Sequence, residues 1–291
     1  MAVLGVFRLI SHWLHTLFLF TKSDIKTTVI PVSLFAAAAA PAPCTYLIVQ
    51  STFWIWLHVL QFDVSNQTLK PEEDEFNKHD RPLPSRRLTI EAAYVLRWML
   101  VPICWLWSAM YSVKTFYSSV ALVALTILYN ECAAHAGHWL ARNCVNAAGF
   151  AAFETGATLV ANMDHNNLDN TAILSICISA GIFTTTIHTQ DFKDIQGDRM
   201  IGRRTLPIVH TSVARPSVVI GLCLWSLILA TIWDLRMGAQ LVFHTLSLFV
   251  SYRFMAYGDI TEDQVSFYWY NVWLSIAHAQ PGYYRYLSSR L

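Results

Sequence analysis

The sequence predicts an all-α, polytopic membrane protein with about nine transmembrane helices gathered in one bundle. Three observations carry that expectation. Of the 291 residues, 55% are hydrophobic and only 13% are charged, against about a quarter charged in soluble domains. Apolar stretches of spanning or near-spanning length, about 17 to 25 residues, recur along the whole chain. Lys and Arg concentrate in a few connecting segments, as membrane topology requires.

Residues 1–22 hold an apolar run broken by Arg8, His12 and His15, with no small-residue cleavage site after it. An uncleaved amphipathic arm lying in the membrane interface is expected. Spans follow at 26–45, 46–64, 90–111, 115–133, 144–162, 171–190, 213–233, 238–256 and 266–282. Between the first two, AAAAAPAPCTY reads either as one broken helix or as a tight turn between two. No soluble domain interrupts the series, so residues 1–291 are read as a single integral-membrane domain.

The basic residues set the orientation. With nine spans, Arg8, Lys22 and Lys26 of the arm lie on one side with Lys70, Lys78, Arg81, Arg86 and Arg87 after the second span. Lys193, Arg199, Arg203 and Arg204, after the sixth span, join them. The opposite-side loop MDHNNLDN has no Lys or Arg. The charged loops are therefore expected in the cytoplasm, with the chain in the endoplasmic reticulum membrane. A glycosylation sequon at Asn66-Gln67-Thr68 would stay unmodified there. A net charge of +1 argues against a nucleic-acid partner, which would need a basic face. The six cysteines stand singly in apolar surroundings, without metal-ligand spacing, and read as small core residues.

Two acidic segments carry the chemistry. The first runs from Asn66 through Lys70, Glu72, Glu73 and Asp74 to Lys78, Arg81, Arg86 and Arg87. If the helix continues, Asn66, Lys70, Glu73 and Asp74 share one face, with a bend at Pro71. In the second, Asp191, Asp194 and Asp198, at i, i+3 and i+7, converge on one helical face. Carboxylates so placed repel one another unless a cation lies between them. Mg²⁺ supplies one, held by one or two carboxylates plus substrate phosphates. Lys78, Arg81, Lys193, Arg203 and Arg204 would then contact phosphate oxygens directly. A transporter would place its charges nearer the membrane midplane than in two one-sided acidic mouths.

These residues resemble the UbiA superfamily of intramembrane prenyltransferases. Its first motif, NxxxDxxxD with a basic RP(L/I)PSG tail, is matched by Asn66, Asp74 and Arg81-Pro-Leu-Pro-Ser85. Its second, DxxxDxxGD or a close variant before GxxTLP, is matched by Asp191, Asp194, Gly197, Asp198 and Gly202 to Pro207. The resemblance implies a UbiA-like bundle, an isoprenoid diphosphate substrate and Mg²⁺, with Asn66, Glu73, Asp74, Asp191, Asp194 and Asp198 around the metal. Lys70 departs from the family, standing where its first motif has the middle Asp. That departure, with His138 to Asn143 (which includes Arg142) and Phe20 to Asp24, is similar to a fungal branch containing membrane-bound terpene cyclases. The branch implies cyclisation of a farnesyl chain to a hydrocarbon, with transfer to an aromatic acceptor as the alternative.

The two reactions differ in what meets the allylic cation: an aromatic acceptor, or the substrate's own double bonds in a dry aromatic cavity. Phe53, Trp54, Trp56, Tyr129, Phe150, Phe153 and Phe183 lie on spans near the acidic mouth, where ring faces attract cations; interfacial anchoring is the competing role of each. His188 falls beside the second motif and could orient an acceptor or take a proton, whereas His165 falls on the far side. Glu131, inside a span, faces the interior if ionised or bonds a neighbouring helix.

Lys70 separates a degraded site from an adapted one. If its ammonium holds a phosphate oxygen, Lys70→Asp removes that cation and adds repulsion against Glu73 and Asp74. Turnover is expected to fall. A maximal rate that is unchanged or higher at lower Mg²⁺, read from the Mg²⁺ dependence of turnover, would sink the phosphate-contact role.

Overall fold

The computed structural model describes residues 2–69, 78–132 and 137–288, with side chains from residue 5 onward. An N-terminal helix, α1 (Ala2–Thr21), leads into a π-helical turn (Ile25–Val29) and α2 (Ile30–Ala39). Then come α3 (Thr45–Leu69), α4 (Ile90–Ala109), α5 (Val113–Asn130), α6 (Trp139–Ala161) and α7 (Asn170–Thr186). A 3-10 turn (Ile187–Asp191) comes next, with two short helices, α8 (Ile195–Met200) and α9 (Leu206–Val209). The chain ends in α10 (Thr211–Ile232), α11 (Met237–Ala256) and α12 (Ile260–Ser288).

Local chemistry fixes many of these ends. Thr89, Ser112 and Asp169 cap α4, α5 and α7, each side chain accepting a backbone N–H three residues on, the usual way to satisfy an orphan donor. The ambiguous alanine-proline segment is a turn: Ala40 leaves the helix at ψ 133°, as the residue before Pro41 is disposed to do, and α3 begins at Thr45.

Each of the nine expected stretches overlaps a helix among the described residues. Six helical segments are long and apolar enough to cross a bilayer: α3, α4, α5, α6, α7 with its 3-10 turn, and α10. Ile25–Ala39 is shorter, because the turn at Pro41 arrives early. The other two hold back for polarity. α11 carries Gln240, His244 and Arg253, and α12 carries Glu262, Asp263, Asn271 and Gln280.

Packing obeys membrane rules, under which small residues and hydrogen bonds replace a hydrophobic drive between helices. A Cβ on Gly156 of α6 would lie 2.3 Å from the ring of Trp54, a fully buried indole that donates to Ser108 at 2.8 Å. A Cβ on Gly282 of α12 would lie 3.2 Å from Ala38, so the alanine run serves to bring α2 against α12. Buried polar side chains are tied across helices. Ser179 donates to Glu154 at 2.5 Å, and His278 Nε2 lies 3.1 Å from the same hydroxyl. The outward faces of α4, α10 and α11 present Trp98, Leu106, Leu224, Leu241 and Leu248, the surface a bilayer would cover.

Two expectations need correction. Of the cysteines, only Cys104 is buried; Cys132, Cys144 and Cys177 are exposed, since the chain turns those positions outward. Glu131 does not face the interior. It caps the end of α5 in an exposed position and pairs with Arg97 of α4, the helix-to-helix role.

At the end of the bundle away from the acidic segments, Arg285 clasps Asp169 through two bonds, of 2.7 and 2.6 Å, and donates to the Ala39 carbonyl at 2.7 Å. The Arg285 hydrogen bond holds the Asp169 carboxyl below its ordinary value of 3.8. A carboxyl depressed on folding stabilises the fold at neutral pH and loses that contribution as pH falls below 3.8 toward the folded value. Asp169→Asn keeps the cap but loses the charge. Its melting temperature in detergent at pH 7 should drop by an amount matching roughly 1 kcal/mol, and the gap from wild type should close in acid.

Candidate active site

One end of the bundle opens into a cavity of about 330 Å³, within the range of roughly 300 to 1,000 Å³ common for small-molecule sites. Helices α3, α5, α6 and α12, the 3-10 turn, α8 and the segment entering α2 supply its walls. At the mouth stand Asn66, Lys78, Arg81, Arg142, Asp191, Lys193, Asp194, Asp198 and Arg203. Below them the lining turns apolar and aromatic, with Val59, Phe62, Leu122, Phe150 and Phe153.

The second acidic segment is not one helix. The chain tightens into the 3-10 turn, leaves regular structure at Asp194 (φ −103°, ψ 4°), and restarts as α8. Gly202 at φ +73° then reverses it, a conformation that favours glycine. The three carboxylates consequently meet separate cations. Arg142 donates to Asp191 at 2.7 Å, Lys193 to Asp194 at 2.6 Å and Arg203 to Asp198 at 2.9 Å. Basic side chains thus supply much of the neutralisation that the spacing alone would assign to a metal. The Asp194 side chain is 45% exposed, whereas those of Asp191 and Asp198 are 2% exposed.

The electrostatics join the two segments. Burial first, then the neighbouring Arg81 and Lys193, hold the Lys78 ammonium below its usual value of 10.5, so cations from both segments crowd one space. An anion entering there relieves them. Burial, then the facing Asp191, pushes the Asp198 carboxyl up, against Arg203 and Arg142. Asp198 Oδ2 is buried without a hydrogen bond, an unsatisfied hard oxygen of the kind that fits Mg²⁺. Among the described residues no three His, Cys, Asp or Glu groups gather as a ready-made metal site. A metal here would take one or two carboxylates and complete its shell with phosphate oxygens and water.

The expected site residues divide clearly. Asn66, Lys78, Arg81, Arg142, the three aspartates, Lys193 and Arg203 come together at the mouth; Lys70, Glu73 and Asp74 lie outside the described residues. Arg204 is not brought in: it is exposed, and its backbone bridges His138. His188 turns away, its Nε2 bonding Ser217 and the Ala214 carbonyl of α10. His165, at the far end, bonds the Leu159 carbonyl. Of the aromatics, Tyr129, Phe150 and Phe153 line the cavity. Trp54 is packed away from it, and Phe183 stacks behind Phe150 at 3.8 Å. Sequence reasoning missed Asp24, Asp63, Asn146, Phe267 and Tyr268, all in the walls. A lone Asp inside an apolar span, one turn before Asn66, was the available signal for Asp63.

A charged mouth above an apolar interior defines an intramembrane site suited to a ligand with an anionic head and an apolar tail. Residues 28–274 match the UbiA prenyltransferase family, and the chain belongs to it. It is an integral membrane protein of that superfamily. It is 33% identical over 283 residues, 96% of each chain, to the fumagillin beta-trans-bergamotene synthase of Aspergillus fumigatus. To a diterpene cyclase of Hericium erinaceus it is 28% identical over 275 residues, 92% of this chain and 87% of that one. A solved UbiA homolog from Archaeoglobus fulgidus, bound to GPP and Mg²⁺, superposes with a TM-score of 0.68 at 10% identity, covering 91% of this chain and 98% of that one. The fold is shared with it.

Burial separates the three aspartates energetically. Asp191→Ala strands Arg142 without its partner in the interior and should cost about 3 to 5 kcal/mol of stability. Asp194→Ala removes a half-exposed pair worth less than about 1 kcal/mol. Thermal unfolding of the two variants side by side, in one detergent, checks the difference.

Proposed function

We propose that this chain is a terpene cyclase: it ionises an allylic isoprenoid diphosphate, farnesyl diphosphate favoured, and cyclises the cation to a hydrocarbon. The observation that carries the reading is the division of one cavity into a cationic mouth and an aromatic interior. The likeness to the bergamotene synthase and the diterpene cyclase supports it. The mouth is proposed to face the cytoplasm from the endoplasmic reticulum membrane, on the bias of Lys and Arg toward that side.

Lys78, Arg81, Lys193 and Arg203 would grip the diphosphate, and Arg142 would fix Asp191 beneath it. As the allylic C–O bond breaks, its electron pair stays on the diphosphate oxygen, where these cations stabilise the growing charge. Asn66, Asp194 and Asp198 would hold Mg²⁺ with Glu73 and Asp74, Asp191 being engaged by Arg142. The metal would supply further charge stabilisation on the same oxygens. Phe62, Tyr129, Phe150 and Phe153 would face the carbocation with their rings and keep water from it. Transfer to an aromatic acceptor is the alternative; the polar Asn146 and Gln264 in the walls could orient one.

Membranes from a host expressing the chain should convert farnesyl or geranylgeranyl diphosphate to hydrocarbon with no acceptor added, and chelation of Mg²⁺ should stop the reaction. Asp194→Ala should lower turnover by about a hundredfold or more, the loss of several kcal/mol of transition-state stabilisation. Gas chromatography of the products decides. An acceptor-dependent prenylated aromatic without hydrocarbon would overturn the cyclase in favour of the transferase.

A further inference from the structure

Asp63 is not among the residues proposed to grip or ionise the diphosphate, yet it is an expensive group for its position. It is 2% exposed within a span, one turn deeper than Asn66, and ionisable side chains at such places are functional by default. It lines the cavity together with Asp24, from the segment entering α2, whose carboxyl is its near neighbour. Two carboxyls so close can hand a proton from one to the other. Asp24 Oδ1 is oriented by the Thr27 hydroxyl, which donates at 3.1 Å. Asp63 Oδ2 is buried and has no hydrogen-bond donor. The cations facing the pair are Arg81 and Lys78, at the mouth. The nearest wall residues on α3, Val59 and Phe62, are apolar.

A cyclisation that yields a hydrocarbon must end by losing a proton, and the aromatic interior has no other carboxyl among the described wall residues. We propose that the Asp63–Asp24 pair is the base that ends the reaction. This rests on the cyclase reading. The C–H bond beside the last cationic carbon breaks, its electron pair becomes the new π bond, and the proton goes to Asp63 Oδ2. From Asp63 the proton passes to its neighbour Asp24, which is partly exposed and returns it to water.

The test uses the full chain in membranes, supplied with farnesyl diphosphate and Mg²⁺, and reads two outputs: diphosphate released and the product profile. In D63N and in D24N, the wild-type alkene formed per diphosphate released should fall by about tenfold or more, the lower end of what a positioned base contributes. Alcohols and isomeric alkenes should make up the difference, because the cation survives until water or another base quenches it. D63E should recover part of the wild-type alkene. A wild-type profile from D24N, or from D63N that stays monodisperse in detergent, overturns the proposal and leaves the departing diphosphate as the base. If D63N does not reach the membrane, the D24N profile decides. If the wild-type enzyme itself forms no hydrocarbon without acceptor from farnesyl or geranylgeranyl diphosphate, the cyclase reading falls and this base falls with it.

Discussion

The ion pair between Arg142 and Asp191 anchors the mouth of the bundle. Its side chains are 7% and 2% exposed and 2.7 Å apart, so neither charge can fall back on water, and each is tolerable only because the other is present. Arg142 sits on the first turn of α6, and Asp191 closes the 3-10 turn below α7. The pair therefore fastens two helices at the level where the chain abandons regular structure. The segment after Asp191 is placed relative to that anchor. The restart at α8 and the reversal at Gly202 bring Asp198 back to face Asp191 and leave Asp194 toward solvent.

The rest of the bundle is closed by different means. Lipid offers helices no hydrophobic reason to associate, so association depends on close approach and on satisfied polar groups. Gly156 against Trp54 and Gly282 against Ala38 provide the approach. The Glu154, Ser179 and His278 network provides the polar ties. Both devices lie toward the middle and the far end of the helices. The cavity of about 330 Å³ lies at the other end, where charged residues gather.

The helix positions were legible because length and apolarity are properties of the chain alone. The early end of α2 was harder, since an alanine run is as apolar as a span and only Pro41 and Pro43 betray the turn. The charged mouth was legible as composition but not as geometry. The i, i+3, i+7 spacing of the aspartates presupposed a continuous helix, and the break at Asp194 gave each its own cation instead. Neighbours in sequence also diverged: Arg203 enters the cavity while Arg204 turns outward, a consequence of Gly202 that spacing does not reveal. Asp24 was legible only as the end of the branch-like segment from Phe20, because its place in the cavity wall beside Asp63 is made only in the folded bundle.

The gradient inside the cavity comes from helix register. On α6 the wall residues are Arg142, Val145, Asn146, Gly149, Phe150 and Phe153, the i, i+3, i+4 stripe of a single face. On α3 they are Val59, Phe62, Asp63 and Asn66, and on α5 Leu122, Leu125, Thr126 and Tyr129. On α3 and α6 the stripe runs from a charged or amide group at the mouth to apolar groups inward. On α6 the eleven steps from Arg142 to Phe153 span roughly 16 Å. Because side chains at i and i+4 stack along one line, polarity and depth cannot be varied independently: a group one turn deeper meets a different part of any bound chain. An anionic head held by Lys78, Lys193 and Arg203 would therefore fix which carbons lie beside the rings. A carboxyl one turn below Asn66 would stand at the boundary between those two environments, near enough to the mouth to exchange a proton and deep enough to reach carbon.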